Sequence, residues 1–501
     1  MPIFMKDGRR TDLADGITYR EFQEIIATTN QNPLLHELAR RTAAEGPIES
    51  FDPARNGPNW VPPFAYGDVA RACISAGTRD GYGVQEEVVN TYLHAAVRIY
   101  FPNEENRGEY GKHLHEVRTM GIQGLDQQTV FSRASSALAL FKHTALPDDA
   151  KVAMMHTGWF ENLFGVSVDE YMFIVFNLSA IVQLRHGILQ LKDLDHPMLV
   201  NVFEVVPKQK FVHLIVNHLS LTLNDFRVKE LEARDSVDEN LQRLTHNPLS
   251  SRPLLAGVNK GFIAPVWHWI IPQMSTANLY YDLLSLAGKP FASDLGRLFE
   301  CYVGKQLRLL DIPVESEVKY KEGKNLKATT DYFVEFDSFI LCIECKSTRP
   351  DASVLQAGGA MNDFLIKRLG HAVEQLNESE KVFGEVAPKS LSRGKPHVGV
   401  ILTMEPFYGA PASLKYILDI QPSIPTAVLH IRELESLVTL AQSKIESMIN
   451  SAIAAAASAN VPYFDISDAL AVVPQQDNAI LVEAWDSSLL VSEFGPNKRI
   501  Q

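Results

Sequence analysis

Three charged residues at the ends of an apolar stretch could do chemistry together. The stretch DYFVEFDSFILCIECK, residues 331–346, begins with Asp331 and ends with Glu344 and Lys346, and most of the residues between them are apolar or aromatic. Such a run predicts a buried β-hairpin. An ionised group in a desolvated sheet costs several kcal/mol unless it is paired or binds a metal. The three charges therefore require a chemical explanation.

The spacing predicts that the three side chains share one face of the hairpin. If Asp337 and Ser338 form a two-residue turn, the numbers of cross-strand partners add to 675, which places Asp331 opposite Glu344. Because side chains alternate along a strand, Glu344 and Lys346 point to the same side as Asp331. Asp-Ser is not a preferred pair for such a turn, so the register is a hypothesis. A loop longer by one residue on each side would keep the same pairing.

Two carboxylates beside a lysine are suited to metal-assisted hydrolysis of a phosphodiester bond. The carboxylates repel each other unless a cation lies between them, and hard oxygen ligands suit Mg²⁺ or Mn²⁺. The lysine can orient or deprotonate a metal-bound water, or stabilise charge that develops on a phosphate. The alternative is a solvated ion cluster at the strand ends, but Glu344 has apolar neighbours on both sides.

A second pattern in the same stretch, the C-x-x-C of Cys342 and Cys345, could suggest zinc binding or redox chemistry. Residues three apart on a strand point to opposite faces, and the chain has no second cysteine pair. We therefore interpret both as small core residues.

The sequence Asp331, then Glu344-Cys345-Lys346, resembles the Asp…(Asp/Glu)-x-Lys signature of the PD-(D/E)XK nuclease superfamily. The resemblance covers about residues 291–440, and Thr330 stands where the eponymous motif has proline. It implies that Asp331, Glu344 and the backbone carbonyl of Cys345 bind the metal. It also implies that Lys346 assists the attacking water.

Two helices extend the resemblance. The segment DLGRLFECYV is similar to the first core helix of the family, which implies that Glu300 assists the metal site. The segment HAVEQL is similar to the helix after the catalytic strand, which implies that Gln375 lies near the site. The alternatives are a glutamate on the rim of its helix and a glutamine that faces solvent.

A run of lysines leads into the proposed site. Lys319, Lys321, Lys324 and Lys327 precede Asp331 in an otherwise acidic chain. Residues 286–450 contain 19 Lys or Arg and 21 Asp or Glu, whereas the whole chain has a net charge of -13. A basic run is usually a solvated face, but here it is consistent with a phosphate-binding stripe.

Residues 1–285 are predicted to form a mostly helical domain that acts in recognition, sensing or partner binding. Capping-box patterns, each a Ser or Thr followed three residues later by Glu, begin at Thr18, Ser167 and Ser236. Apolar residues recur at helical spacing in residues 86–101 and 171–184. The Pro- and Gly-rich residues 51–67 predict a long loop.

Residues 286–450 are predicted to form the nuclease-like domain. Gly288 and Pro290 should end one helix, and Ser293 should cap the next, which runs over about 294–310. Two or three strands should follow, through Ser347. The remaining predicted elements are an amphipathic helix within 362–379, buried strands at 397–404 and 426–431, and one helix over 432–449.

Residues 451–501 are predicted to be a C-terminal extension whose Ala-rich start continues a helix. The predicted fold class is therefore α+β or α/β. By resemblance, the helical N-terminal domain precedes a restriction-endonuclease-like α-β-β-β-α-β core.

Composition limits the classes of function. The chain has 501 residues, of which 46% are hydrophobic, and its acidic balance argues against unselective binding of nucleic acid through net charge. Four cysteines are too few for a disulfide framework, which favours a cytoplasmic location. The first residues have no secretory pattern, and residues 171–184 fall short of the roughly 20 residues that span a bilayer. No membrane partner is expected.

The leading hypothesis is a Mg²⁺- or Mn²⁺-dependent nuclease. The resemblance favours DNA over RNA and implies a role in bacterial restriction or anti-phage defence. An alternative is a catalytically silent, nuclease-like subunit that binds nucleic acid or serves as a scaffold. A third is an enzyme that is silent until a partner assembles with it. The sequence leaves open a partner protein bound by the N-terminal domain, and a homo-oligomer.

Overall fold

The protein is a mixed α/β protein with a helical N-terminal region and sheets in its C-terminal half. The computed structural model describes residues 2–4, 10–12, 17–46, 61–78, 84–99, 129–235, 242–243, 245–258, 260–347, 358–404, 414–415, 418, 420–474 and 476–494.

Most of the N-terminal region is helical, as predicted. Its helices are α1 (Tyr19–Ile26), α2 (Gln31–Glu45), α3 (Pro63–Ala76), α4 (Glu86–Val97), α5 (Val130–Phe141), α6 (Trp159–Phe164), α7 (Val168–Leu184), α8 (Val200–Val205), α9 (Lys208–Asn217), α10 (Leu223–Asp235) and α11 (Pro248–Ser251). Thr18 and Ser167 form the predicted capping boxes at α1 and α7. The third predicted box, at Ser236, lies outside the described residues.

One prediction for the N-terminal region was wrong. Residues 63–67, predicted as loop, begin α3 because Pro63 occupies the first turn, where its missing N–H costs nothing. The region also contains a sheet, ordered β3-β6-β5-β4. Its strands are β3 (Ile188–Leu189), β4 (Ser220–Thr222), β5 (Leu254–Val258) and β6 (Gly261–Ile263), which are too short for a clear period-two pattern. A separate pair, β1 (Pro2–Phe4) and β2 (Arg10–Asp12), is antiparallel.

The helix that leads into the C-terminal half is kinked. Helix α12 (Thr276–Leu307) breaks at Gly288, which has φ of 60°. Glycine adopts this conformation without the steric cost that a Cβ would bring. The predicted break is therefore confirmed, but the predicted cap is wrong. Pro290 already lies in the first turn of the second segment, and Ser293 lies inside the helix.

The C-terminal half is built on a six-stranded sheet with the order β14-β13-β12-β11-β10-β7. Its strands are β7 (Val314–Ser316), β10 (Tyr332–Glu335), β11 (Ile340–Lys346), β12 (His397–Thr403), β13 (Thr426–His430) and β14 (Tyr463–Phe464). The pairs β7–β10 and β10–β11 are antiparallel, and β11 through β14 are parallel.

The remaining helices of the C-terminal half are α13 (Gly358–Val386), α14 (Ile431–Leu437), α15 (Gln442–Ser458), α16 (Ser467–Ala471), α17 (Ala479–Asp486) and α18 (Leu489–Phe494). The single helix predicted over 432–449 is wrong, because a turn separates α14 from α15. The Ala-rich segment continues α15, as predicted. The domain boundaries at 285 and 450 stay predictions.

A small antiparallel pair lies outside the large sheet. Strands β8 (Lys319–Glu322) and β9 (Asn325–Ala328) form a two-stranded sheet of their own, called the lysine hairpin below. Gly323 forms its turn with φ of 61°. With the lysine hairpin, residues 311–347 contain five strands rather than the predicted two or three.

The register predicted for the β10–β11 hairpin is confirmed. Tyr332 pairs with Ile343 and Glu335 pairs with Ile340, so partner numbers add to 675. The Phe336 N–H donates to the Phe339 carbonyl at 2.9 Å and closes the turn at Asp337 and Ser338.

The large sheet is buried on both faces. Phe173 of α7, Leu298 of α12 and Leu341 of β11 belong to one apolar cluster that joins the N-terminal helices to one face. Cys342 and Leu376 belong to a second cluster, under α13 on the other face. Large side chains buried this completely each contribute about 1.5–3 kcal/mol to stability.

The cysteine interpretation is confirmed in the structure. Cys342 and Cys345 are buried in clusters on opposite faces of the sheet, and both are free thiols. In the part of the chain that the structure describes, no helix is long and apolar enough to cross a membrane.

Candidate active site

The acidic residues and the lysine meet where the parallel strands end. Glu344 and Lys346 lie in the last three residues of β11. Asp331 directly precedes β10, whose antiparallel direction brings it to the same end of the hairpin. We call this edge of the sheet the acidic edge. Ligands of α/β sheets commonly bind there.

Lys346 is held by two oxygen acceptors. Its Nζ donates to Glu344 Oε1 at 2.6 Å and to Gln375 Oε1 at 2.8 Å. Only 18% of the Lys346 side chain is exposed, against 2% for Glu344. The structure thus brings Gln375 of α13 against Lys346, instead of leaving it toward solvent.

Asp331 is tied to β11 through the backbone of Cys345. Its Oδ2 accepts a hydrogen bond from the Cys345 N–H at 2.6 Å. The Thr330 N–H donates to Ser379 Oγ at 2.8 Å, and Ser379 donates to the Gln375 carbonyl, also at 2.8 Å. These bonds connect the start of β10, the end of β11 and α13 into one polar network.

Glu344 is more deeply buried than Asp331 or Glu300. Burial and the nearby Asp331 raise its pKa to about 8, although Lys346 opposes this shift. Its Oε2 is buried and has no hydrogen-bond partner among the described residues. A buried oxygen without a partner costs about 1–3 kcal/mol, which a cation could offset.

Glu300 approaches the edge from the opposite layer. It lies on α12, which packs on the sheet face away from α13. Burial and the proximity of Asp331 raise the pKa of Glu300 to about 7. Burial likewise raises the pKa of Asp331, and the Cys345 N–H and Lys346 partly offset the increase. Asp331 thus raises the pKa of both Glu300 and Glu344, as a nearby like charge does.

The donor set fits a hard divalent cation held by few protein ligands. Among the described residues, no three His, Cys, Asp or Glu side chains converge as a ready-made metal cage. Asp331, Glu344 and the Cys345 carbonyl remain as oxygen donors, with Glu344 Oε2 unpartnered. Mg²⁺ is usually bound by one or two carboxylates and keeps several waters, so a small set is sufficient.

The four predicted phosphate-binding lysines all lie in the lysine hairpin. Lys327 pairs with Glu322 at 2.6 Å and with Glu378 at 3.1 Å, and Lys319 pairs with Glu317 at 3.1 Å. Lys321 and Lys324 are exposed and form no ion pair with another described residue. Lys321 and Lys324 are therefore accessible to a phosphate.

Sequence reasoning missed two features of the site. Glu317 is a fourth carboxylate that raises the pKa of both Glu300 and Asp331. Lys346 also lines a cleft together with Lys367, Arg368 and His371 of α13. The Lys-Arg pair was visible in the sequence, but nothing there indicated that it faces Lys346.

Comparisons with family models, with curated proteins and with solved structures find no match to this chain.

Proposed function

We propose that this protein is a Mg²⁺-dependent nuclease that hydrolyses phosphodiester bonds, with DNA as its substrate. The observation that carries the proposal is the placement of Lys346 Nζ between Glu344 and Gln375, with Asp331 bound to the same strand end. Two acids and a fixed lysine at the end of a parallel strand suit in-line attack of water on a phosphate.

The order of elements supports a restriction-endonuclease-like core. The second segment of α12 precedes β7, β10 and β11, then α13 and β12, with the lysine hairpin inserted between β7 and β10. The first three strands of the core are antiparallel, and β12 returns parallel to β11. This is the helix, three-strand, helix, strand order of the PD-(D/E)XK superfamily. The resemblance also implies a setting in bacterial restriction or anti-phage defence.

Each residue then has a distinct role. Asp331, Glu344 and the Cys345 carbonyl would hold Mg²⁺ or Mn²⁺, which supplies Lewis acidity and a water of lowered pKa. Lys346 orients the attacking water or stabilises charge on the phosphate. Gln375 is a positioning residue that fixes Lys346. With its pKa at about 7, Glu300 can take up or release a proton near neutral pH.

The test compares two lysines in similar salt bridges. Lys346→Met removes the proposed catalytic ammonium. Lys395→Met removes a partly buried lysine that pairs with Glu335 at 2.8 Å, near the opposite end of the β10–β11 hairpin. Both variants and the wild type are incubated with supercoiled plasmid, linear duplex, single-stranded DNA and RNA, in Mg²⁺, Mn²⁺ or EDTA.

We expect metal-dependent cleavage of DNA that falls at least about 100-fold in Lys346→Met and is retained in Lys395→Met. Equal activity of wild type and Lys346→Met would overturn the assignment of the site. If no protein cuts but wild type binds DNA, the silent nuclease-like subunit becomes the better description. Titration with Mg²⁺ against Asp331→Ala then tests whether the metal site exists.

A further inference from the structure

A basic cleft opens beside the proposed catalytic lysine. It has a volume of about 440 Å³ and is lined by Lys346, Lys367, Arg368, His371, Glu374 and Ile420, with Gly370 in its wall. We call it the basic cleft. Because α13 carries most of its lining and also Gln375, the cleft and the acidic edge share one wall.

The charge of the basic cleft suits a phosphate. Lys346, Lys367 and Arg368 are cationic, and among the described residues neither Lys367 nor Arg368 forms an ion pair. The single carboxylate, Glu374, is 3.2 Å from His371 Nδ1. In a chain with a net charge of -13, such a concentration of positive charge marks a local anion-binding surface.

The size of the basic cleft limits what can enter it. Its volume lies in the range of small-molecule sites, roughly 300–1,000 Å³, which suits one nucleotide. A duplex, whose major groove alone is about 12 Å wide, would not fit inside. Ile420 offers an apolar surface for a sugar or a base next to the cationic groups.

We propose that the basic cleft binds one unpaired nucleotide of the strand to be cut, with its phosphate at Lys367 and Arg368, next to the scissile phosphate at Lys346. The substrate is then DNA that is single-stranded, or unpaired, at this position. This inference rests on the proposed function, since Lys346 is shared by the cleft and the acidic edge.

The matched variants are Gly370→Leu and Gly384→Leu. A Cβ built at either glycine meets no atom within 4 Å, so the first side-chain carbon has room at both positions. Gly370 lines the basic cleft, whereas Gly384 is exposed, 14 residues further along α13, or about 21 Å at 1.5 Å per residue. Both changes raise the helix propensity of their position, and circular dichroism with thermal unfolding checks that each variant folds like wild type.

The experiment measures fluorescence anisotropy of a labelled single-stranded oligodeoxynucleotide, and of a blunt hairpin duplex, in EDTA. We expect Gly370→Leu to weaken single-strand binding at least 10-fold and duplex binding less than 2-fold, with Gly384→Leu like wild type. Unchanged single-strand affinity in Gly370→Leu would overturn the proposal. So would competition by inorganic phosphate as strong as that by unlabelled oligonucleotide, because the ligand would then be a free anion.

The two proposals can fail separately. Loss of cleavage in Lys346→Met together with normal binding by Gly370→Leu overturns the basic cleft and leaves the nuclease. Weakened single-strand binding by Gly370→Leu in a protein that never cuts supports the basic cleft and overturns the nuclease.

Discussion

Glu344 is a buried carboxyl whose protonation is linked to the stability of the fold. It is buried, its Oε2 has no partner among the described residues, and its pKa is about 8 against an ordinary value of 4.5. The metal-free fold therefore prefers Glu344 protonated at neutral pH. A bound cation would reverse this preference, because it favours the charged carboxylate.

Glu344 should make the stability of the metal-free protein depend on pH. Between pH 4.5 and pH 8 the folded chain holds a proton on Glu344 that the unfolded chain has released, so the free energy of unfolding falls as pH rises through this window. Each pKa unit corresponds to about 1.4 kcal/mol. Glu344→Gln removes this dependence, so in EDTA its stability relative to wild type should increase from pH 5 to pH 8.

Urea denaturation at several pH values measures the effect. The exposed Glu385→Gln on α13 is the control, and its curve should run parallel to that of wild type. If the Glu344→Gln curve also runs parallel to wild type, the carboxyl is not held protonated by the fold. With Mg²⁺ present, wild type should recover stability at pH 8, whereas Glu344→Gln should not.

At the scale of elements, the lysine hairpin places lysine side chains beside the acidic edge. Its last strand, β9, ends three residues before Asp331, and Lys327 ties it to Glu378 of α13. Lys321 and Lys324 are exposed on the outer part of the hairpin. In the proposed function, the lysine hairpin holds the nucleic acid backbone on one side of the site.

Salt dependence tests this placement. Lys321→Ala or Lys324→Ala should weaken DNA binding and reduce the slope of log affinity against log salt by about 0.7–0.9. Lys444→Ala, an exposed lysine near the turn end of the β10–β11 hairpin, is the control and should leave the slope unchanged. Identical slopes for all three variants would place the DNA elsewhere.

The elements also show what the sequence could and could not reveal. The register of the β10–β11 hairpin was predictable because strand periodicity and a two-residue turn determine it. The lysine hairpin was not, since its strands are four residues long and mostly exposed. The packing partners of α13 could not be predicted from the sequence either. Nothing in Lys367, Arg368 or Gln375 indicated that their helix would lie over the end of β11.

At the scale of the molecule, the C-terminal segment is part of the core. Strand β14 completes the large sheet, and α17 packs on α5, where Trp485 contacts Phe131 with ring centroids 5.4 Å apart. One apolar cluster includes residues from α5, α12, the large sheet and α17. The region predicted as an extension thus supports the elements that carry the site.

Truncation should therefore unfold more than the removed residues. A chain ending at Asn460 loses Phe464, Ile480 and Leu481, all buried, at about 1.5–3 kcal/mol for each large side chain. That sum is comparable to the whole stability of a typical protein, roughly 5–15 kcal/mol. Thermal unfolding followed by circular dichroism should show a much lower midpoint or no cooperative transition. A cooperative transition with an unshifted midpoint in the shortened chain would contradict the prediction.

The hydrogen bonds of Glu446 to the β10–β11 turn affect the register at the other end of the hairpin. From α15, its carboxylate accepts hydrogen bonds from the backbone N–H groups of Asp337 and Ser338 at 3.3 and 3.1 Å. The register of paired strands can shift only by whole residues. A shift by one residue would turn every side chain of one strand to the opposite face of the sheet. By binding the turn residues, Glu446 favours the register that brings Asp331 and Glu344 to the same end of the hairpin. It contacts neither of these two residues. Glu446 thus helps to hold the register that spaces the two acids, from the other end of the hairpin.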